Sequence, residues 1–356
     1  MTVNARIWIG LSGGVDSSVA ALLLKEAGYT VEGVHLRLWE APGQASSLLA
    51  AEAVAQALEI PLHVFDWRQS FRTEVVDAYL DALARNLTPN PCVRCNRLIK
   101  WGRLLEMARA NGAEYLASGH YARLIREGDG QVRLYKALDQ AKDQSYFLAG
   151  LPQEALKAMR LPLAELNKVQ VRQMAQEAKL PTRKAVESED LCFLAGQDQA
   201  SFLREHAANL LNPGPITDRS GKLLGQHAGL ALYTIGQRKG IGLAAPEPYY
   251  VLEKRAESNT LVVGWAGELL KGAVLTGPVN WLVADPPEEQ ETVQVKIRSG
   301  ARPALARCQI LPSGDMIATL EKPLRDITAG QLLVLYRGDL CLGSAEIKAG
   351  LDQGTA

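Results

Sequence analysis

Three short stretches carry the residues able to do chemistry. The first is Gly10-Leu11-Ser12-Gly13-Gly14-Val15-Asp16-Ser17-Ser18. Gly13 and Gly14 let the backbone curl tightly, so that free N–H groups converge on an anion such as phosphate. Ser12, Ser17 and Ser18 add hydroxyl donors, and Asp16 is a candidate metal ligand for a Mg²⁺ bridging phosphates. No Gly-Lys-Ser/Thr follows, so the lysine of ordinary γ-phosphate transfer is missing. The second stretch is Asn90-Pro91-Cys92-Val93-Arg94-Cys95-Asn96. A CxxC pair is half of a zinc site or a redox dithiol, but no second CxxC or closely spaced His pair completes a zinc site. Its cationic neighbours Arg94, Arg97 and Lys100 favour thiolate at either cysteine. The third is Ser188-Glu189-Asp190-Leu191-Cys192-Phe193, where the polar run argues for a loop around Cys192. Cys308 and Cys341 fall in apolar strand patterns and read as core packing.

The elements that must position these groups follow from periodicity. Arg6–Leu11 reads as a strand, Ser17–Ala27 as a helix and Val31–Trp39 as an extended run. Leu48–Leu58 is helical, Pro61–Phe65 a short strand, Phe71–Arg85 and Arg97–Ala110 helices, and Glu114–Ser118 a strand. Repeated β–α units predict an α/β, Rossmann-like, doubly wound parallel sheet, with the glycine-rich turn at its ligand-binding carboxyl edge. The turn-rich run at 212–221 reads as an inter-domain connection. Beyond it lies a basic patch, Tyr233-Thr234-Ile235-Gly236-Gln237-Arg238-Lys239-Gly240. From about residue 274, short strands at Leu305–Ile310, Met316–Leu320, Leu332–Tyr336 and Leu340–Ile347 predict a small antiparallel β-barrel. The expected division is 1–205, a catalytic domain; 206–273, a small central domain; and 274–356, the barrel.

Composition narrows the function classes. The chain has 356 residues, 47% hydrophobic and 22% charged, which is ordinary for a globular protein of two or three domains. Basic and acidic residues balance at 39 each, which argues against broad non-specific nucleic-acid binding while leaving room for a local basic surface. No apolar run approaches membrane-spanning length and no signal-like start is visible, so the expected location is cytoplasmic, without a membrane partner. Five cysteines without a secretory signal do not make a disulfide framework.

Ser12-Gly13-Gly14-Val15-Asp16-Ser17 resembles the PP-loop of the ATP pyrophosphatases, which split ATP between the α and β phosphates and adenylate a carbonyl oxygen. With the two cysteine loops, Ser118-Gly119-His120-Tyr121, Lys142-Asp143-Gln144-Ser145, Pro213-Gly214-Pro215-Ile216, the Tyr233–Arg238 run and Gly330-Gln331, the resemblance narrows. Over nearly its whole length the chain is similar to the tRNA-uridine 2-sulfurtransferases, also called tRNA-specific 2-thiouridylases.

That resemblance implies an enzyme that adenylates the C2 oxygen of the wobble uridine, U34, and replaces it with sulfur. The sulfur arrives as a persulfide on Cys192 from a cysteine desulfurase or a relay protein, and Cys95 is the family's nucleophile. Cys95 then attacks either the activated base or the persulfide; the second route leaves a Cys95–Cys192 disulfide. The implied ATP site is Gly10, Leu11, Ser12, Gly13, Gly14, Val15, Asp16, Ser17, Leu36 and Gly119, with Mg²⁺ on Asp16. The implied tRNA contacts are Asn90, Pro91, Cys92, His120, Lys142, Asp143, Gln144, Arg298, Ser299 and Gln331. The substrate is expected to be the anticodon stem-loop of the Lys, Glu and Gln tRNAs, gripped at phosphates by Arg238, Lys239 and Arg298.

The chain departs from many relatives at Ile297-Arg298-Ser299, where an aromatic residue is usual, and at Ala50, usually acidic; Pro42–Leu49 is also shorter. Two rival readings are an ammonia-using PP-loop synthetase and a catalytically dead RNA-binding module. The first needs no paired cysteines, and the second predicts damage to a loop and cysteines that are intact.

Overall fold

The computed structural model describes residues 4–39, 44–128, 130–184 and 191–352. The run before Cys192, Ser188-Glu189-Asp190, lies outside them, as do the first residues of the shortened 42–49 segment. Strands β1 (Arg6–Gly10), β2 (Thr30–Arg37), β3 (Leu62–Asp66) and β4 (Tyr115–Ala117) pair in parallel, in the order β3-β2-β1-β4. The Ile7-Trp8-Ile9 run of β1 is apolar because both faces of the strand are covered there. Ile7 and Ile9 pack with Val19, Ala20 and Leu24 of helix α1 (Val15–Glu26), while Trp8 packs on the opposite face with Trp101, Leu104 and Leu105. The chain order reverses between β1 and β4, and ligands of such sheets bind beyond the strand ends at that point.

The two helices expected over Phe71–Arg85 and Arg97–Ala110 are present, but each is interrupted. The first runs Arg68–Phe71, then a π-helical stretch Arg72–Asp77, then Ala78–Ala84. The second begins earlier than expected, at Pro91, and its middle, Asn96–Arg103, is also π-helical. π-Helical turns are rare and concentrate at functional sites. Asn90 caps the second helix by accepting from Val93 N–H at 3.3 Å, and Pro91 at its first position needs no partner for a missing N–H.

Strands β5 (Arg123–Arg126) and β6 (Val132–Tyr135) form a hairpin that periodicity had not suggested. A two-residue β7 (Met159–Arg160) pairs with β4. The 212–221 run is not a linker: β8 (Gly214–Thr217) pairs with β9 (Leu223–His227), and Asp218 closes their turn by accepting from Ser220 and Lys222 N–H. With β10 (Tyr250–Arg255) and β11 (Thr260–Gly264) they make a four-stranded sheet in the order β10-β11-β8-β9.

The third unit comprises β12 (Lys271–Thr276), β13 (Asn280–Trp281), β14 (Thr292–Lys296), β15 (Ala304–Ile310), β16 (Met316–Leu324), β17 (Leu332–Arg337) and β18 (Leu340–Leu351). Pairing of β12 with both β16 and β18 closes an antiparallel barrel, as expected. The β5–β6 hairpin of the first unit adds to this sheet at β18. Trp8, Leu134, Tyr146, Leu282, Tyr336 and Cys341 therefore share one buried cluster, so the first and third units are welded through a common core.

The second junction meets at Thr88, three residues before Pro91. Its N–H donates to Ala329 O at 2.9 Å, its carbonyl accepts from Gln331 Nε2 at 2.8 Å, and its hydroxyl donates to Thr234 Oγ1 at 3.5 Å. Arg298, half-buried, donates to Ile235 O at 3.0 Å and to the Thr328 hydroxyl. Arg298 and Gln331 were expected to touch tRNA; in the fold they tie the barrel to its neighbours, with Ser299 half-buried beside Arg298. Gln331→Ala should leave the Thr88 carbonyl unpartnered in a buried junction, at a cost of about 1–3 kcal/mol. A urea titration should show an earlier midpoint; an unchanged midpoint would remove Gln331 from this role.

Candidate active site

A cavity of about 710 Å³ opens at the carboxyl ends of β1 and β4. Gly10, Leu11, Ser12, Asp16 and Ser17 line one side, and Ser118, Gly119 and His120 another. Leu36, Trp101 and Leu104 supply apolar wall, and Cys192 lies at the same cavity. The size and the mixture of apolar wall with convergent polar groups suit a nucleotide.

The glycine-rich turn is held open by its own hydroxyls. Ser17 Oγ donates to Gly14 O at 3.1 Å and lies 3.2 Å from Ser12 Oγ; Ser18 Oγ donates to Gly14 O at 2.8 Å. Gly14 is the N-cap of α1 and has no side chain to cap it, so the first N–H groups of the helix stay available to an anion. Gly13 has φ +80°, and a Cβ there would lie 2.7 Å from Ser47 O. Gly119 passes so close beneath the loop that its Cβ would sit 2.8 Å from the backbone of Asp16 and Ser17. Gly13, Gly14 and Val15 shape the turn without themselves lining the cavity.

Asp16 has partners the sequence did not reveal. Lys168 Nζ donates to both carboxylate oxygens at 2.7 Å, and the Tyr121 hydroxyl donates to Oδ1 at 2.7 Å. Lys168 is the first residue of the helix Lys168–Glu177, 152 positions from Asp16. A Lys-x-x-Val-Arg pattern opening an amphipathic helix was the only available cue. Among the described residues no three His, Cys, Asp or Glu groups gather to hold a metal. One carboxylate already neutralised by lysine does not fit a resident Mg²⁺ site.

Cys95 and Cys192 are brought together by an apolar cluster. Cys95 is buried with Phe71, Val75, Tyr79, Ile99 and Phe193. Phe193 is ringed by aromatics, with centroids 5.3 Å from Tyr79, 5.2 Å from Phe202 and 6.3 Å from Trp39. Burying Phe193 places its neighbour Cys192 over the helix that carries Cys95. Cys192 itself is exposed; Cys92 is half-buried. Burial pushes the Cys95 thiol up from its ordinary range, while Lys100 pulls it down and Cys92 pushes it up. The Cys192 thiol is pushed up to about 12, first by desolvation and then by Cys95. Cys308 and Cys341 are buried in the barrel, far up from the ordinary thiol range through burial, as packing residues.

The remaining expected contacts separate into three groups. Gln144 and His120 line the cavity. His120 accepts or donates at 2.7 Å to Ser118 Oγ, and burial drops it to about 3, so it stays neutral at physiological pH. Asp143 instead organises its own loop, accepting from Ala137 and Ser145 N–H at 3.0 and 3.1 Å, and Lys142 lies beside it outside the cavity. Asn90 and Pro91 face a second groove of about 710 Å³ between the first unit and the barrel, with Arg85, Arg94, Arg97 and Lys348 on its walls. Arg238 and Lys239 are exposed.

A parallel sheet with a lysine-free phosphate loop at its switch point, beside a cysteine pair, defines an ATP-loop enzyme of the sulfur-handling kind. Comparison with known proteins agrees. Residues 5–196 match the model of the tRNA methyl transferase HUP domain, 200–265 that of the tRNA methyl transferase PRC-barrel domain, and 271–347 that of the aminomethyltransferase beta-barrel domain. The chain is 42% identical to a tRNA-specific 2-thiouridylase of Chloroflexus aggregans, over 96% of this chain and 98% of that one. It is 43% identical to one of Magnetococcus marinus, over 98% and 100%, and 40% identical to one of Clostridium perfringens, over 97% and 98%. The chain belongs to the tRNA-specific 2-thiouridylase family.

Charge-assisted bonds such as those from Lys168 to Asp16 contribute about 1.5–3 kcal/mol each. Lys168→Gln should therefore weaken ATP binding by about tenfold or more through disorder of the loop. Calorimetric titration with ATP measures this; unchanged affinity would make the ion pair irrelevant to the loop.

Proposed function

We propose that this chain thiolates C2 of the wobble uridine, U34, in tRNA, with ATP as the activating substrate. The observation that carries the reading is the shared cavity: the phosphate loop, Gly119 and Cys192 line one space, with Cys95 packed beneath Phe193. A uridine C2 oxygen is a poor leaving group. Adenylation, with release of pyrophosphate, converts it into AMP, which leaves readily. A thiolate or persulfide then displaces it.

The loop N–H groups and the hydroxyls of Ser12 and Ser17 receive the phosphates. Leu36 and the apolar wall receive the adenine. Mg²⁺ enters as the counter-ion of ATP's phosphates, not as a resident ion on Asp16. The target base must leave its stack to reach the cavity, where Gln144 and His120 face it. Because His120 is held neutral, it offers a hydrogen bond without adding charge.

Cys192 is exposed and accepts sulfur as a persulfide from a cysteine desulfurase or relay protein. If Cys95 attacks the Cys192 sulfur of that persulfide, hydrosulfide leaves, a Cys95–Cys192 disulfide forms, and an external dithiol must return two electrons to restore both thiols. If Cys95 instead attacks the activated base, AMP leaves in that step; hydrosulfide, freed from the Cys192 persulfide by two electrons from an external dithiol, then displaces the Cys95 thiolate from C2 and leaves the thiocarbonyl. The substrate is the anticodon stem-loop of the Lys, Glu and Gln tRNAs. Among the described residues no helix is long and apolar enough to cross a membrane.

Two experiments test this reading. The protein is incubated with tRNA, ATP–Mg²⁺ and a protein persulfide donor, and 2-thiouridine is measured by mass spectrometry of the digested tRNA. Cys95→Ser and Cys192→Ser should each abolish thiolation, while Cys308→Ser should not; robust turnover by Cys192→Ser would remove it from the sulfur path. Separately, neutralising the exposed Arg238 or Lys239 should weaken tRNA binding and reduce its salt slope by about one charge each. An unchanged slope would clear them of phosphate contact.

A further inference from the structure

We infer that the π-helical turn after Cys95 exists to bring Lys100 under the thiols, making Lys100 the residue that activates Cys95 and Cys192. The inference deepens the proposed sulfur chemistry but does not need tRNA for its test.

The sequence offers three cations near the CxxC pair, and the structure separates them. Arg94 is exposed and donates its Nε–H to Glu74 O, away from the thiols. Arg97 is exposed and lines the second groove. Lys100 alone is half-buried and lines the cavity with Cys192.

Helix geometry explains the selection. Cys95 and Lys100 are five residues apart. In an α-helix of 3.6 residues per turn they would point roughly 140° apart. A π-turn bonds residue i to i+5 and so brings them roughly onto one face. The stretch Asn96–Arg103 is π-helical, and at its end Leu104 N–H donates to Ile99 O, five residues back. Lys100 is correspondingly the cation that lowers the pKa of Cys92, Cys95 and Cys192 together, against the desolvation that raises all three.

Among the described residues the other groups around the thiols do not supply that charge. Arg37, which also lines the cavity, is exposed and paired with Asp66 at 3.6 Å. On the packed helix Arg72–Ala84, Glu74 is paired with Arg103 at 2.7 Å, Asp77 with Arg72 at 2.6 Å, and Tyr79 is neutral, pushed up to about 12 by burial. On Ser145–Leu148, Tyr146 is neutral and donates to Leu332 O at 3.0 Å. His120 is neutral, and Lys100 is one of the causes. Cys92 opposes ionisation of its neighbours. Ionisation here means only that the S–H proton passes to water, leaving thiolate beside an ammonium.

The test is alkylation of the full-length protein with iodoacetamide at fixed pH values from about pH 7 to about pH 9, with the labelling rate of each cysteine peptide read by mass spectrometry. Over this range thiolate is the minor form at both cysteines, so each rate follows the thiolate fraction. Lys100→Met should lower that fraction about tenfold at Cys95 and Cys192 while leaving a more basic and more nucleophilic sulfur, so both rates should fall about three- to fourfold at each pH. Lys100→Arg should restore both rates, and Arg97→Met should leave them unchanged. Cys308 and Cys341 report the fold in the same spectra: they stay unlabelled while the barrel is intact. Unchanged rates in an intact Lys100→Met protein would overturn the assignment, even if tRNA binding fell. If that variant labels at Cys308 and Cys341, the Lys100→Gln variant is read in its place, with the same two outcomes. Thiolation could fail for other reasons without changing these rates, so failure of the proposed function remains distinguishable.

Discussion

The burial of Phe193 is the constraint on which the site depends. Its ring packs against Phe71, Tyr79, Trp39 and Phe202, and the same cluster takes in Cys95 and Ile99. Fully burying an aromatic of this size contributes about 2–3 kcal/mol relative to leaving it in water. That gain fixes a segment which otherwise has little regular structure. Cys192 precedes Phe193, so anchoring one residue positions the other at the cavity mouth. The link between two cysteines 97 positions apart is thus hydrophobic before it is chemical.

The anchoring has an electrostatic consequence. Packing around the thiols removes water that would stabilise thiolate, so every cysteine near the cavity is pushed up. Thiols held this way stay mostly protonated at neutral pH. The same logic appears at the phosphate loop, where Asp16 would be a bare carboxylate facing incoming phosphates. Lys168 and Tyr121 neutralise and fix it before any phosphate arrives. Both halves of the site therefore carry a charge next to its compensating partner, and in both the partner comes from a different part of the helix or chain.

The loop, the parallel sheet and the barrel were legible because each is a local pattern. β1 is a continuous apolar run because it is covered on both faces, and β17 and β18 show the apolar content of a closed barrel. What was not legible depends on distant partners or on small changes in helical winding. A π-turn differs from an α-turn by one residue per hydrogen bond, and no propensity distinguishes Asn96–Arg103 from an ordinary helix. The 212–221 run is rich in Pro and Gly, which reads as a linker; its strand exists only because β9 and β11 pair with it. Arg298 and Gln331 look like surface residues until the carbonyls of Ile235 and Thr88 are placed beside them. Lys168 pairs with Asp16 only after the sheet has folded.

The position of Thr88 connects these observations. It bonds to the barrel through Ala329 and Gln331 and to a loop of the central unit through Thr234, and two residues later Asn90 caps the helix bearing Cys95. The two units expected to grip the RNA are therefore joined to the cysteine helix at its first turn, not at its far end. Thr88 commits both its N–H and its C=O to the barrel, and the helix start, with Asn90 and Pro91, faces the groove between the first unit and the barrel. Cys95 on that helix therefore lies between two points of attachment: the junction at Thr88 and the aromatic cluster around Phe193.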